Sequence, residues 1–412
     1  MVKIFIAASI LIGCFTNAKA QTNQLQYYID IALQNSPLLR DYQNQVVLNK
    51  YDSLLLRAGF KPQVSGSSIN TYSPVIRGWG YDAAITNGAG FASLVSVNKL
   101  IPNKKNTDAQ FNNIKLQSQS ITNAASISEQ DLKRTIISQY ITAEGSLQQL
   151  NVNKEISDLL TREEIILKKL TQSNVYKQAD YLTFLITLQQ QDLLVKQFSI
   201  QYKNDLNTLK YYCGITDTST VILQSPEISI KALPGISQSV FFKQFELDSL
   251  KITNNKKLVD INYRPKVNLY ADAGYNSSLA YSAYKNFGTS FGLSLIMPIY
   301  DGKQKQLQYS KIDITEKTRA SYQSFFTSQY QQQISQLTKQ LTAIEELITD
   351  INNQLKYIQA LIDTDLKLFG SGEMKITDYI LTLNNYINAK NLITQNKISR
   401  LQIINQLNYW NR

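Results

Sequence analysis

The 412-residue chain contains no histidine. That removes the side chain most often used as a general base near neutral pH and most often found ligating metal ions. Hydrolytic triads and zinc sites are poor readings, no nucleophile–base constellation stands out, and no enzyme activity, cofactor or metal is expected. Cysteine is almost as scarce: the two are Cys14 and Cys213, so a disulfide framework is excluded. Cys213 stands before Gly214 at the end of a helical stretch and reads as a packed residue, not a reactive thiol. Beyond the first 20 residues no apolar run reaches the length of about 20 residues that a membrane-spanning helix requires. Basic residues exceed acidic ones, 42 to 31, for a net charge of +11. They are scattered among Gln, Asn and Ser without clustering, which describes a solvated surface and no nucleic-acid partner.

Residues 1–20 read as a signal peptide: Lys3 is a short basic start, Ile4 to Phe15 an apolar run, and Ala18-Lys19-Ala20 a small-x-small cleavage site before Gln21. Leu11-Ile12-Gly13-Cys14 also resembles a lipoprotein signal, which makes Cys14 a candidate lipidation position. An exported chain without a membrane-spanning helix is secreted, periplasmic, or inserted in an outer membrane as strands.

What the chain does contain is itself, twice. Lys61-Pro62-Gln63-Val64 recurs as Arg264-Pro265-Lys266-Val267, and Leu100-Ile101-Pro102 as Ile296-Met297-Pro298. Lys177-x-x-Asp180-Tyr181-Leu182 recurs as Lys375-x-x-Asp378-Tyr379-Ile380, and Leu206-Asn207-x-Leu209-x-Tyr211-Tyr212 as Ile404-Asn405-x-Leu407-x-Tyr409-Trp410. The last two pairs share one offset, and a duplicated unit this long implies a pseudo-symmetric fold in which each half can be read against the other.

Helix breakers partition the chain. Between Pro102 and Pro226 there is no proline, and Gly145 is the only glycine before Gly214; between Gly302 and Gly370 there is neither. Such spans, rich in Leu, Ile, Gln, Lys and Glu, read as long helices. The second carries Ile334, Leu337, Leu341, Ile344, Ile348, Ile351, Leu355, Ile358 and Ile362 in alternating steps of three and four, the seam of a coiled coil. A helix from Lys303 to Phe369 would run roughly 100 Å at about 1.5 Å per residue. Each long helix meets a turn, near Gln172-Ser173-Asn174-Val175 and at Gly370-Ser371-Gly372, and a returning helix. The expected organisation is therefore an N-terminal helix over 21–58, a first β-hairpin over 59–101, a first helical hairpin over 102–214 and a connector over 215–236. A helix over 237–263, a second β-hairpin over 264–300 and a second helical hairpin over 301–412 complete it.

The β-hairpins carry the membrane signal. Val267, Leu269, Ala271, Ala273 and Tyr275 alternate with polar or small residues, as do Phe287, Phe291, Leu293 and Leu295 with Gly288, Ser290, Gly292 and Ser294. Two strands near ten residues, apolar on one face and small or polar on the other, match the dyad pattern of an outer-membrane barrel. Val64 to Tyr72 and Phe91 to Leu100 give a fainter version. Trp79 and Tyr81 in one loop, and Tyr281 and Tyr284 in the other, suit an interfacial aromatic belt. Val267, Leu269, Phe291, Leu293 and Leu295 are the expected lipid-facing residues. Four strands cannot close a barrel, and open edges are not tolerated in lipid, so this reading requires several copies.

In these features the chain resembles the TolC-type outer-membrane efflux proteins. The resemblance is carried by Pro298-Ile299-Tyr300-Asp301-Gly302-Lys303, by Gly370-Ser371-Gly372-Glu373 leading into Thr377-Asp378-Tyr379-Ile380, and by Leu407-x-Tyr409-Trp410. It spans 24–412, although Pro102-Asn103-Lys104 lacks the aromatic–Asp-Gly element and the first turn lacks glycine. The resemblance implies a mixed α/β membrane protein. Its long α-helical coiled-coil hairpins would form an α-barrel tunnel, and three chains giving four strands each would form a trimeric 12-stranded transmembrane β-barrel. It implies a homotrimer in the outer membrane of a Gram-negative bacterium, extending into the periplasm. There it is the passive exit duct of a tripartite efflux or secretion system, partnered by a periplasmic adaptor and an inner-membrane transporter. The turns at Ser173, Asn174, Val175 and at Gly370, Ser371, Gly372 would be the adaptor-docking tips. Asp180 and Asp378, each three residues after Lys177 and Lys375, are the gate candidates; the second acid frequent in the family one turn on is Leu381 here. An aspartate in the first turn of a helix also serves as a cap, and that reading stands beside the gate. The absence of histidine and the presence of only three methionines speak against a metal-binding lumen; the cargo is not written in the sequence. The alternative from another class is a secreted or periplasmic coiled-coil structural protein without a pore.

Overall fold

The computed structural model describes residues 24–82, 88–231, 239–278 and 282–411; the leader with Cys14, and Tyr281, lie outside the described residues. Helices α1 (Leu25–Asn35) and α2 (Pro37–Gly59) precede strands β1 (Gln63–Tyr72) and β2 (Ala89–Ile101). Then come α3 (Lys104–Gln172), α4 (Gln178–Tyr212) and α5 (Val240–Asn262). Strands β3 (Lys266–Ser277) and β4 (Phe287–Ile296) are followed by α6 (Gln304–Ser371) and α7 (Ile376–Trp410). Among the described residues no helix is long and apolar enough to cross a membrane.

The single N-terminal helix expected over 21–58 is two helices. Ser36 is extended (φ −64°, ψ 113°), because a residue preceding proline is pushed out of the α region. Pro37 then opens α2, where its missing N–H costs nothing. The four strands begin and end within a few residues of the expected hairpins.

The chain forms two compact units. Among the described residues, one comprises those up to Arg40 with those of Ala125–Phe241 and of Phe326–Arg412, the other those of Asp41–Ala124 and of Phe242–Phe325. The first is helical. Tyr28, Ile136, Tyr140, Leu206, Leu209 and Cys213 make one of its cores. The 215–231 segment is fastened to that core: the Tyr140 hydroxyl donates to the Gln224 carbonyl (2.7 Å), the Tyr202 hydroxyl to that of Val221, and the Lys210 ammonium to that of Ser219 (2.6 Å). Cys213 is fully buried, and burial pushes its thiol up to about 12, so it is a packing residue and no nucleophile. All nine seam residues of α6, Ile334 to Ile362, are buried or half-buried, as a coiled-coil register requires. The buried polar atoms of this unit are largely paired. Asn153 donates to the Gln149 carbonyl (2.8 Å) and accepts from the Gln191 amide (3.0 Å).

The second unit holds a four-stranded antiparallel sheet of order β1-β2-β3-β4. Helices α2 and α5 and the strand-proximal parts of α3 and α6 belong to the same unit. Within it Lys256 pairs with Asp313 (2.6 Å) and Lys305 with Asp260 (2.8 Å). The sheet has two unpaired edges, β1 and β4.

Candidate functional site

The register of the sheet sorts its residues by chemistry, since directly paired residues share a face. One row runs Val64–Val97–Ala271–Phe291, and flanking rows place Lys99 beside Leu269 and Leu293, and Ile101 beside Val267 and Leu295. The opposite face carries Ser65–Ser96–Asp272–Ser290 and, beyond it, Asn268 beside Ser294. Ser290 donates to the Asp272 carboxylate (3.2 Å).

Neither face of the sheet is covered by a core, and the apolar one is the more open, whereas a water-soluble sheet turns its apolar side to a core; Ser65 and Ser290 of the polar row are exposed as well. Here Phe291 is 88%, Leu293 62% and Leu295 62% exposed. Leu269, Val95 and Val97 are also exposed, whereas Ser96, Asn98, Asp272, Gly292 and Ser294 are half-buried. Val267 is half-buried at the start of β3. On the polar face the Tyr270 ring lies over Gly292, so that a side chain at 292 would collide with its hydroxyl.

The helical unit presents the two turns. Between α3 and α4, Asn174 adopts a left-handed conformation (φ 59°); between α6 and α7, Gly372 does so (φ 79°). The first turn therefore manages without the glycine its counterpart has, because asparagine is among the few residues that tolerate this region. Ser173, Asn174, Val175, Gly370 and Ser371 are exposed. Val175 packs directly against Gly372, where any added side chain would meet its Cγ1, so the two turns of one chain touch. Behind them Tyr176 stacks on Phe369 (5.7 Å, 27°) and Phe369 on Tyr379 (5.2 Å, 20°), and the Tyr176 hydroxyl donates to the Phe369 carbonyl (3.3 Å).

The four gate candidates, equivalent in sequence, are not equivalent in space. The Lys177 N–H donates to the Asp180 carboxylate (3.2 Å), so Asp180 caps α4. Asp378 is exposed, and its carboxylate has no hydrogen-bond or ion-pair partner among the described residues. Lys177 and Lys375 are exposed N-cap residues, each just before the first residue of its helix. Sequence reasoning missed the aromatic stack and the acids beside it. Glu163 occupies the buried register Ile156, Leu160, Glu163, Leu167, and Asp365 continues the α6 seam beyond Ile362. An acid at a seam position was the available signal. Among the described residues no group of three or more His, Cys, Asp or Glu is placed to hold a metal ion.

No family model and no curated protein matches the sequence. Solved structures match over nearly all of it. CusC, described for conformational changes accompanying folding and transmembrane channel formation, superposes with a TM-score of 0.77 at 13% identity, covering 94% of this chain and 92% of its own. The outer membrane protein VceC from Vibrio cholerae gives 0.76 at 10% identity, covering 94% and 96%. The Campylobacter jejuni CmeC outer membrane channel gives 0.73 at 12%, covering 94% and 85%. At such identities what is shared is the fold, and it is the TolC-type outer-membrane factor fold.

Proposed function

We propose that this protein is the outer-membrane exit duct of a tripartite efflux or secretion system. Cargo would pass through it without chemistry, delivered by an inner-membrane pump by way of a periplasmic adaptor. The observation that supports the reading is the sheet with Val64, Val97, Leu269, Phe291, Leu293 and Leu295 gathered on one open face. Such a face is stable against lipid, and the polar face then lines a lumen. Two open edges exclude a lone chain in a bilayer. The resemblance and the shared fold support closure by three copies into one 12-stranded barrel, with the helical hairpins forming the periplasmic tunnel. On this reading Val267, Leu269, Phe291, Leu293 and Leu295 meet lipid, and the turns around Ser173–Val175 and Gly370–Gly372 meet the adaptor. Asp378, free of any capping bond, is the gate carboxylate, and Asp180 is a cap.

Fractionation of cells expressing the tagged protein tests this. A heat-modifiable trimer in the outer-membrane fraction is the expected result. An elongated species in the soluble fraction would instead support a coiled-coil structural protein without a pore.

A further inference from the structure

The ends of the helical hairpins are packed around ionisable groups that neither the turns nor the coiled-coil seam requires. Glu163 on α3 is 2% exposed and lies in sequence between Leu160 and Leu167, members of the core that also holds Phe184, Tyr379 and Leu383. Neither of its carboxylate oxygens has a well-formed hydrogen bond. From α7 the fully buried Tyr379 turns its hydroxyl toward this carboxyl, and from α6 Asp365, 5% exposed, acts on the same phenol. The Tyr379 hydroxyl and one Asp365 oxygen are likewise buried without a partner. The other charged or titratable neighbours are few. Among the described residues Arg162 is the one cation that acts on Glu163, and from α4 the Tyr181 hydroxyl is taken by Glu164 (2.5 Å). Tyr176 of the first turn faces the Phe369 carbonyl. A buried acid without a paired base is costly to ionise. Burial accordingly pushes Glu163 up to about 7, offset only in part by the Tyr379 hydroxyl and Arg162.

We propose that Glu163, Asp365 and Tyr379 form a proton-held latch on the two hairpin ends. With Glu163 protonated the ends stay packed around the Tyr176–Phe369–Tyr379 stack; when it loses the proton, separation of the ends is favoured, because only then is the charge solvated. The inference rests on reading these ends as the closed periplasmic mouth. With the ends apart, Glu163 titrates at its ordinary value of 4.5; with them packed, at about 7. Below 4.5 both states are neutral and packing is at full strength. As pH rises toward 7 the separated state gains about tenfold per unit, roughly 300-fold in all, and nothing further above that.

The test uses nitroxide labels at Ser173→Cys and Ser371→Cys, both exposed, on the full chain in detergent, diluted with unlabelled copies. Dipolar distances are read from pH 4.5 to pH 8. The expected result is one short distance at low pH and a growing longer population up to about pH 7. Glu163→Gln keeps the shape but cannot ionise, so it should hold the short distance throughout. Tyr379→Phe removes a group that favours the charged carboxyl, so it should raise the pH at which the longer population stops growing. A distance distribution that does not change with pH, or a response that survives in Glu163→Gln, overturns the latch. Should Glu163→Gln fail to fold, a levelling-off pH that Tyr379→Phe leaves unmoved overturns it equally. These distances do not depend on conduction. A conducting protein with invariant distances removes the latch alone, whereas ends that separate in a protein that never conducts remove the channel alone.

Discussion

Replacing Leu293 with arginine measures which solvent the apolar face of the sheet meets. Leu293 lies in β4 directly opposite Leu269, in a row flanked by Phe291 and Leu295, and is 62% exposed. In water, a substitution at so open a position changes stability by no more than about 0.5 kcal/mol. In a bilayer, an arginine near the midplane costs about 2–4 kcal/mol per chain, and about 6–12 kcal/mol for a barrel carrying three copies. The two environments thus differ by far more than the error of a urea titration. Ser294→Arg is the control. It points to the polar face beside Asn268 and should cost little in lipid, where lumen positions tolerate charge. Gly292 is unsuitable for this purpose because Tyr270 lies over it. The assay is refolding into lipid vesicles across a urea gradient, with the folded fraction read from heat-modifiable mobility. Equal folding of the Leu293→Arg and Ser294→Arg proteins would refute the assignment of the apolar face to lipid.

Asp378→Asn should weaken divalent-cation block and cation selectivity in single-channel recordings without lowering trimer abundance, since three like charges near one axis attract cations; Asp180→Asn should be silent, because asparagine caps as well as aspartate. Cysteines at Ser173 and Ser371 should crosslink to an adaptor in cells, while cysteines at Gly78 and Tyr81 should label only from outside; the reverse pattern would invert the topology. Phe369→Ala, which empties the centre of a stack buried to 1% exposure, should cost about 3–5 kcal/mol by denaturant midpoint, and a loss under 1 kcal/mol would mean that the ends are not held by this stack.

The α6 seam was legible because its nine residues repeat without a slip over a stretch free of proline and glycine, and each is buried or half-buried in the fold. The strands were legible in the second half, where Leu and Phe alternate with Gly and Ser. They were fainter in the first, where Ser65, Ser67 and Ser68 blur the two faces of β1. The break at Ser36 could be placed only after asking what Pro37 does to its predecessor. Asp180 and Asp378 show where reading stops. Each follows a lysine by three residues, yet one carboxylate closes on its own backbone and the other does not. Glu163 and Asp365 escaped because an acid is taken for surface unless the register on both sides of it is followed.

The unpaired edges β1 and β4 have a genetic consequence. In a ring of identical chains, β4 of each copy meets β1 of the next, so one chain takes part in two different seams and every seam is made by two chains. A copy with a spoiled β4 edge still offers a sound β1, enters the ring, and leaves it unable to close. In the proposed ring of three, when such a copy is made alongside an equal amount of the normal chain, only about one ring in eight would be free of it. Damage at this edge is therefore dominant, whereas a chain too unstable to fold never joins a ring and stays recessive.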